Sequence, residues 1–256
     1  MGRVIVGPKG FGKTHLIGEL RRQVWEREGW FVLLDLIGIK DFWSSVALGL
    51  LTSLQVRMAD GKTQYDRLVF RVAKLLEIDE EVTATADRCR GQQRILMVEL
   101  VRLFNRSLDR KYPEANQHSD VVTALILLGS DDLDCRSIAH GWLQGMNFDD
   151  EDIRELGFKK ENSPIKVVQG LSWIMSRIAP TLIAIDQIDA IVTASNSLAD
   201  AADGGGMQEQ RQAQVIVDLL AQGLMDLHEY KRRAVTVISC LEATWTPFAA
   251  FVFGDK

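Results

Sequence analysis

The sequence predicts an α/β protein, in which a mainly parallel sheet lies between two layers of helices and carries a large all-helical insertion. Apolar runs of strand length recur at four places, as is typical of strands buried on both faces of a parallel sheet. A glycine-rich loop joins the first run to a helical pattern. Residues 62–160, in contrast, show helical periodicity and no good strand signal.

The composition is that of an ordinary globular protein. Of 256 residues, 46% are hydrophobic and 25% are charged, which is enough apolar material for a large core. No run reaches the roughly 18 apolar residues of a membrane span, and no signal-peptide pattern opens the chain. We therefore expect a cytoplasmic protein with no membrane partner.

The net charge of −5 argues against nucleic-acid binding over the whole surface, and three scattered cysteines suggest neither disulfides nor zinc.

The loop after the first predicted strand, Arg3–Val6, carries the main chemical signal. Its sequence is Gly7-Pro8-Lys9-Gly10-Phe11-Gly12-Lys13-Thr14, which fits the G-x-x-x-x-G-K-[ST] pattern of a phosphate-binding loop. Glycines let successive backbone N–H groups turn inward onto phosphate oxygens. Lys13 is expected to reach the β and γ phosphates and Thr14 to bind Mg²⁺. The motif predicts binding of ATP or GTP with Mg²⁺ through all eight residues.

A helix is predicted directly after the loop, from Thr14 to Glu28. Leu16, Leu20 and Val24 lie four residues apart on one face, and Gly29 suits the C-terminal cap. The helix N-terminus adds partial positive charge where the phosphates would lie.

The middle of the chain predicts a second strand and then the insertion. Trp30–Asp35 is a buried strand, and Asp41 is the N-cap of a helix to about residue 56. We predict a nucleotide-binding core of residues 1–60 and 163–256 with a helical insertion of residues 61–162. The acidic stretches 131–134 and 149–152 lack the glycine and terminal glutamate of a calcium loop, and are interpreted as helix starts.

The last third of the chain predicts the other two strands. A helix from Pro164 to about Ile178 precedes Thr181–Asp186, an apolar run that ends in a carboxylate. A long helix over about 208–229 precedes the final strand, Ala234–Ser239. An aspartate at the carboxyl end of such a strand meets the hydration shell of Mg²⁺ in many nucleotide sites, so Asp186 is the predicted metal-side residue together with Thr14.

The residues after Asp186 leave the mechanism of hydrolysis open. Many ATPases have a glutamate next, whereas this chain has Gln187, whose amide can hold a water but cannot accept its proton. Asp189 is either the missing base or a helix cap, and Gln187 alternatively positions water as the glutamine of small GTPases does. Ser239, at the end of the last strand, is a candidate contact to the γ-phosphate or the water. Glu242 is a weaker candidate acid.

With these residues in place, the chain resembles the AAA+ and STAND group of P-loop ATPases. Gly7–Thr14 match Walker A, Leu182–Asp189 match the hhhhDExD form of Walker B, and Ser239 matches the sensor-1 position. The run Gly12–Leu16, which includes His15, is similar to the GKTHL of bacterial replication initiators. The resemblance implies a three-layer P-loop sandwich, with the Ser239 strand between the first strand and the Asp186 strand. It adds His15 to the expected nucleotide-binding residues.

Two further segments are similar to large bacterial ATP-binding proteins of phage-defence loci such as BREX, namely 141–145 with 156–157, and 184–189. Members of the wider group normally have a fifth core strand, an arginine finger and a C-terminal lid, which do not appear before Lys256. We therefore expect the chain to be a piece of a longer protein. The resemblance also implies a homo-oligomer or a larger multi-protein complex.

The function expected from these residues is an ATPase module that couples its nucleotide state to a protein or nucleic-acid partner. The alternatives are a regulatory switch that binds ATP and turns it over slowly or not at all, and a small-molecule P-loop kinase. The chain has no arginine-rich lid of the kind that favours a kinase, and no N-K-x-D element of the kind that selects guanine. The basic run 231–233 is interpreted as a solvated approach to the last strand, with a nucleic-acid contact as the alternative.

Overall fold

A computed structural model describes residues 2–36, 41–78, 93–159, 162–186, 188–189, 218, 220, 222–229 and 232–245. The chain divides into two compact units, which we call the sheet unit, Met1–Leu50 with Ala179–Lys256, and the helical unit, Leu51–Ile178. The helix Pro164–Ile178 thus belongs to the helical unit, although the sequence-based bounds assign it to the core. The predicted role of the core in nucleotide binding stays a prediction.

The sheet unit contains four strands, and all neighbouring pairs are parallel. The strands are β1 (Gly2–Val6), β2 (Trp30–Leu34), β3 (Thr181–Ile185) and β4 (Ala234–Cys240). Their order in the sheet is β1-β4-β3-β2. This confirms the α/β class, the parallel sheet and the predicted position of the Ser239 strand between the first strand and the Asp186 strand.

The register brings the carboxyl ends of three strands to one edge of the sheet. Ile5 pairs with Ser239, and Ile185 pairs with Ile238. The loop after β1, the residues after β3 and the end of β4 therefore meet at the edge where parallel sheets bind their ligands.

Helices that follow β1 and β2 border the sheet in this unit. The helix α1 (Lys13–Glu26) packs its apolar face on the sheet, where Ile17 forms a cluster with Phe31 and Ala184. The helix α2 (Phe42–Leu54) begins at the predicted cap, because the Ser44 amide donates to Asp41 Oδ2 at 2.6 Å. A Cβ on Gly49 would lie 2.5 Å from Leu34 Cδ2, so glycine permits close approach of this helix to β2.

The outer face of α1 carries an exposed charge network. Arg22 forms ion pairs with Glu19 and Glu26. The hydrogen bond from Arg22 lowers the pKa of the Glu19 carboxyl to about 2. All three side chains are solvated, so this network adds little to stability.

The helical unit has six α-helices and the end of α2 among its described residues. The six are α3 (Gln64–Leu75), α4 (Gln93–Lys111), α5 (Ser119–Leu128), α6 (Leu133–Leu143), α7 (Asp150–Glu155) and α8 (Pro164–Ile178), and a 3-10 helix covers Pro113–His118. Within the described part of this unit, the β-type pairing is limited to one isolated bridge between Arg57 and Thr63. The all-helical prediction is confirmed for these residues.

None of the helices described is both long and apolar enough to cross a membrane.

The core of the helical unit forms where α5, α8 and the 3-10 helix pack together. Trp173 is fully buried and stacks on His118, with ring centroids 5.0 Å apart. The Arg177 guanidinium lies 5.1 Å from the centre of the Trp173 ring and 2.5 Å from Glu114. A Cβ on Gly170 would lie 2.5 Å from Val121 Cγ2, so α8 can approach α5 closely only with glycine there.

The two acidic stretches lie at helix starts, as predicted. Asp132 accepts hydrogen bonds from the amides of Asp134 and Cys135 at 2.9 and 3.0 Å, and so caps α6. Asp149 directly precedes α7. Acidic side chains at these positions complement the positive end of each helix.

The end of α1 differs from the sequence-based prediction, because the residue with the left-handed conformation is not the predicted cap glycine, and the end of α3 shows the same feature. Glu28 follows α1 with φ 60°, one residue before the predicted cap glycine. The amide of Gly29 then donates to Val24 O at 2.8 Å. Glu77 follows α3 in the same way, with φ 56°, and the Ile78 amide donates to Ala73 O at 3.0 Å. Both helices thus end in a Schellman motif with glutamate where glycine is usual.

Glu77→Gly is expected to raise the free energy of unfolding by about 1 kcal/mol, because glycine carries no penalty in the left-handed region. Glu77→Ala is the matched control: it retains a Cβ, so its stability should stay within about 0.5 kcal/mol of the wild type. Urea unfolding with an unchanged slope measures both changes. A destabilising Glu77→Gly substitution would contradict the assigned backbone conformation.

Candidate functional site

The loop between β1 and α1 has the backbone that its glycines predict. Gly10 and Gly12 have φ angles of 83° and 78°, a conformation that side chains with a Cβ rarely adopt. The amide of Phe11 donates to Pro8 O at 3.4 Å and closes a turn within the loop. The loop therefore curves back toward the first turn of α1.

The N-terminus of α1 is open to an anion. Gly12 is the N-cap and has no side chain to accept from the first-turn amides, and the first turn contains no acidic residue. The first amides of a helix have no partner within the helix and carry partial positive charge. This end of the helix therefore offers several donors to a phosphate group.

Lys13 folds back over this loop. Its Nζ donates to Gly7 O at 2.8 Å and to Pro8 O at 3.0 Å. The ammonium thus lies beside the start of the loop, held by two neutral carbonyl groups. A phosphate oxygen attracts an ammonium more strongly than a carbonyl oxygen does, because the phosphate carries a negative charge and the carbonyl is neutral.

Thr14 and Asp186 meet although 172 residues separate them. The Thr14 hydroxyl donates to Asp186 Oδ2 at 2.8 Å. Asp186 directly follows β3, and Thr14 lies in the first turn of α1. The structure thus brings together the two residues that the sequence predicts on the metal side of the site.

Ser239 contacts the other oxygen of the Asp186 carboxylate. It is fully buried near the end of β4, and its hydroxyl donates to Asp186 Oδ1. Because β4 lies between β1 and β3, Ser239 is placed between the loop and Asp186. Its predicted contact to a γ-phosphate or a water stays a prediction.

Two hydrogen bonds of backbone groups, which no sequence pattern indicated, also link parts of the site. The Gly7 amide donates to Cys240 O at 3.3 Å, and the Leu241 amide donates to Asp189 Oδ1 at 2.6 Å.

Burial, with a smaller effect of the nearby Asp189 charge, raises the pKa of the Cys240 thiol to about 11. This cysteine is therefore protonated at neutral pH and unsuited to nucleophilic attack.

The other predicted site residues are exposed or lie outside the described residues. Lys9, Phe11 and His15 are exposed, and 78% of the surface of Phe11 is accessible. Glu242 is exposed in the short helical segment 242–245. Gln187 lies outside the described residues.

Two oxygen donors of the site, on Thr14 and Asp186, could hold a divalent cation. Among the residues that the structure describes, no group of three or more His, Cys, Asp or Glu side chains is arranged to hold a metal ion. Mg²⁺ typically takes one or two carboxylates and completes its shell with water and substrate phosphates. The hydroxyl of Thr14 and the carboxylate of Asp186, already in contact, fit that mode of binding.

Comparison of the chain with protein-family models, with curated proteins and with solved structures gives no match.

Proposed function

We propose that this protein is an ATP-binding module and a Mg²⁺-dependent ATPase that couples its nucleotide state to a protein or nucleic-acid partner. The observation that carries the proposal is the 2.8 Å hydrogen bond between Thr14 and Asp186. It joins the glycine loop to the carboxyl end of β3, as a site for a metal-bound phosphate requires. The resemblance to Walker A and Walker B sequences supports the same assignment.

The loop, the first turn of α1 and Asp186 would hold the substrate through different groups. The first-turn amides of α1 would donate to phosphate oxygens, and Lys13 would exchange its two carbonyl partners for the β and γ phosphates. Thr14 and Asp186 would hold Mg²⁺, which supplies charge neutralisation to the phosphates when bound. Adenine is proposed over guanine because the sequence lacks an N-K-x-D element.

Two hydroxyl groups would orient the Asp186 carboxylate for this role. Thr14 and Ser239 donate to different oxygens of that group, so its rotation is restricted from both sides. A carboxylate fixed in this way is preorganised for a cation. This arrangement supports Ser239 as a residue that responds to what Asp186 binds.

The second candidate is an ATP-dependent switch with little turnover. Gln187 favours it, because an amide cannot take the proton of an attacking water. Binding would be the same in both cases, so phosphate release distinguishes the two.

We propose a homo-oligomer or a larger complex as the functional assembly, on the resemblance to AAA+ and STAND proteins alone.

The proposed metal site predicts a specific effect of removing one hydroxyl. Thr14→Val should weaken ATP binding roughly 10- to 150-fold in Mg²⁺, which corresponds to a lost contact to a charged group of about 1.5–3 kcal/mol. In EDTA the two proteins should bind ATP with similar affinity. Isothermal titration calorimetry measures both conditions.

Thr52→Val is the matched control, because Thr52 is an exposed threonine on α2. It should leave ATP affinity unchanged in either condition. Equal affinities of the wild type and Thr14→Val in Mg²⁺ would contradict the proposed metal site.

A further inference from the structure

The end of β4 is tied to both halves of the proposed nucleotide site. We call Ser239, Cys240 and Leu241 the β4 end. The hydroxyl of Ser239 donates to Asp186, and the carbonyl of Cys240 accepts from the Gly7 amide at 3.3 Å. The amide of Leu241 donates to Asp189 Oδ1 at 2.6 Å. Three consecutive residues thus contact the β3 end, the phosphate loop and Asp189 in turn.

The Leu241 amide needs an acceptor outside the sheet. β4 ends at Cys240, so the parallel ladder supplies no partner to the next amide. Leu241 and Asp189 are both half-buried, and an amide left unpaired in such a place is unfavourable. The carboxylate gives it a charge-assisted bond, which is stronger than one to a neutral oxygen.

We propose that Asp189 is a positioning residue, which holds the β4 end so that Ser239 stays against Asp186 and Cys240 stays against Gly7. Its function needs a hydrogen-bond acceptor and no proton transfer. It acts through Leu241 and Ser239, and does not serve as the base that takes a proton from the attacking water. This inference rests on the proposed nucleotide site for its functional consequence, whereas the Leu241 contact can be tested without nucleotide.

Asparagine separates this role from that of a base. The Asn side chain keeps an Oδ1 acceptor of the same size and position, but it cannot accept a proton from water at neutral pH. Alanine removes both properties. A positioning residue should therefore tolerate Asp189→Asn and not Asp189→Ala, whereas a base should tolerate neither.

The first experiment follows the Leu241 amide by hydrogen exchange in the nucleotide-free protein. Asp189→Ala should speed its exchange roughly tenfold or more, because the amide loses a charge-assisted bond. Asp189→Asn should retain most of the protection. Asp109→Ala, at an exposed aspartate on α4, is the matched control and should leave exchange at Leu241 unchanged. Unchanged exchange in Asp189→Ala would overturn the proposal.

The second experiment measures ATP affinity with Mg²⁺ and phosphate release for the same variants. We expect Asp189→Ala to weaken ATP binding roughly tenfold, since Ser239 and Asp186 lose their alignment. Asp189→Asn should keep wild-type affinity and any wild-type turnover. An Asn variant with a protected Leu241 amide but abolished turnover would identify Asp189 as the base and overturn the proposal.

Two outcomes keep the test decisive. If Asp189→Ala does not fold, the Asn variant alone decides, through its Leu241 exchange and its affinity. If wild-type protein and Lys13→Ala bind ATP equally, the proposed function fails. The Leu241 exchange then still reports whether Asp189 holds the β4 end.

Discussion

Lys13→Ala should weaken ATP binding roughly 30-fold or more and abolish phosphate release. The variant leaves the charge of the phosphate tail without its ammonium partner, and truncating one member of such a pair costs about 2–5 kcal/mol. The fold should persist, because the contacts that Lys13 makes within the described residues are two hydrogen bonds to loop carbonyls. Calorimetry gives the affinity, and circular dichroism verifies the fold.

Lys74→Ala provides the control for loss of a lysine. Lys74 lies exposed in the last turn of α3 and belongs to the helical unit. Its replacement should leave ATP affinity and phosphate release at wild-type values. Turnover that survives Lys13→Ala would rule out this loop as the nucleotide site.

Gln187→Glu should raise phosphate release roughly 100-fold or more if the wild-type protein is a slow switch. The substitution adds a carboxylate that can accept the proton of the attacking water, and general-base catalysis contributes about 10²- to 10⁴-fold. ATP affinity should change far less than the rate. Phosphate release is measured in Mg²⁺ with and without DNA, beside Gln55→Glu as a control for the added charge at an exposed glutamine.

The rate of the wild type determines how this result is interpreted. A slow wild type with a large gain supports the ATP-bound switch. A fast wild type that gains nothing supports an ATPase in which Gln187 positions water, as the glutamine of small GTPases does. A slow wild type without a gain would contradict the assignment of Gln187 to the base position.

The fold was predictable where the pattern that indicates a strand or helix lies within a single segment of the sequence. Each of the four strands lies within a residue or two of its predicted run, and Pro164–Ile178 is helical as predicted. The end of α1 was predicted less well. Gly29 is required there by close approach, since a Cβ would lie 3.0 Å from Val24 Cγ1 and 3.2 Å from Pro180 O, while Glu28 takes the left-handed turn. Steric contact with a distant residue is invisible to a local pattern.

The candidate site was predictable in its residue types and only partly in its contacts. Motif position indicated Thr14 and Asp186 as residues of one site, and their hydroxyl–carboxylate contact is observed, whereas their metal-binding role stays a prediction. Ser239 was selected as a polar residue at a strand end, and the structure adds which oxygen of Asp186 it meets. The interaction of Asp189 with Leu241 was not foreseen, because every residue but proline has the same backbone amide.

The sequence alone determined the glycine loop and its neighbouring strand and helix. Its signals are local: only glycine adopts the backbone of Gly10 and Gly12 without strain, and apolar runs form buried strands wherever they pack. Tertiary structure decided which residues meet. The β1-β4-β3-β2 order brings Thr14 to Asp186 and Leu241 to Asp189, since hydrogen bonds between distant segments depend on how strands pair in space.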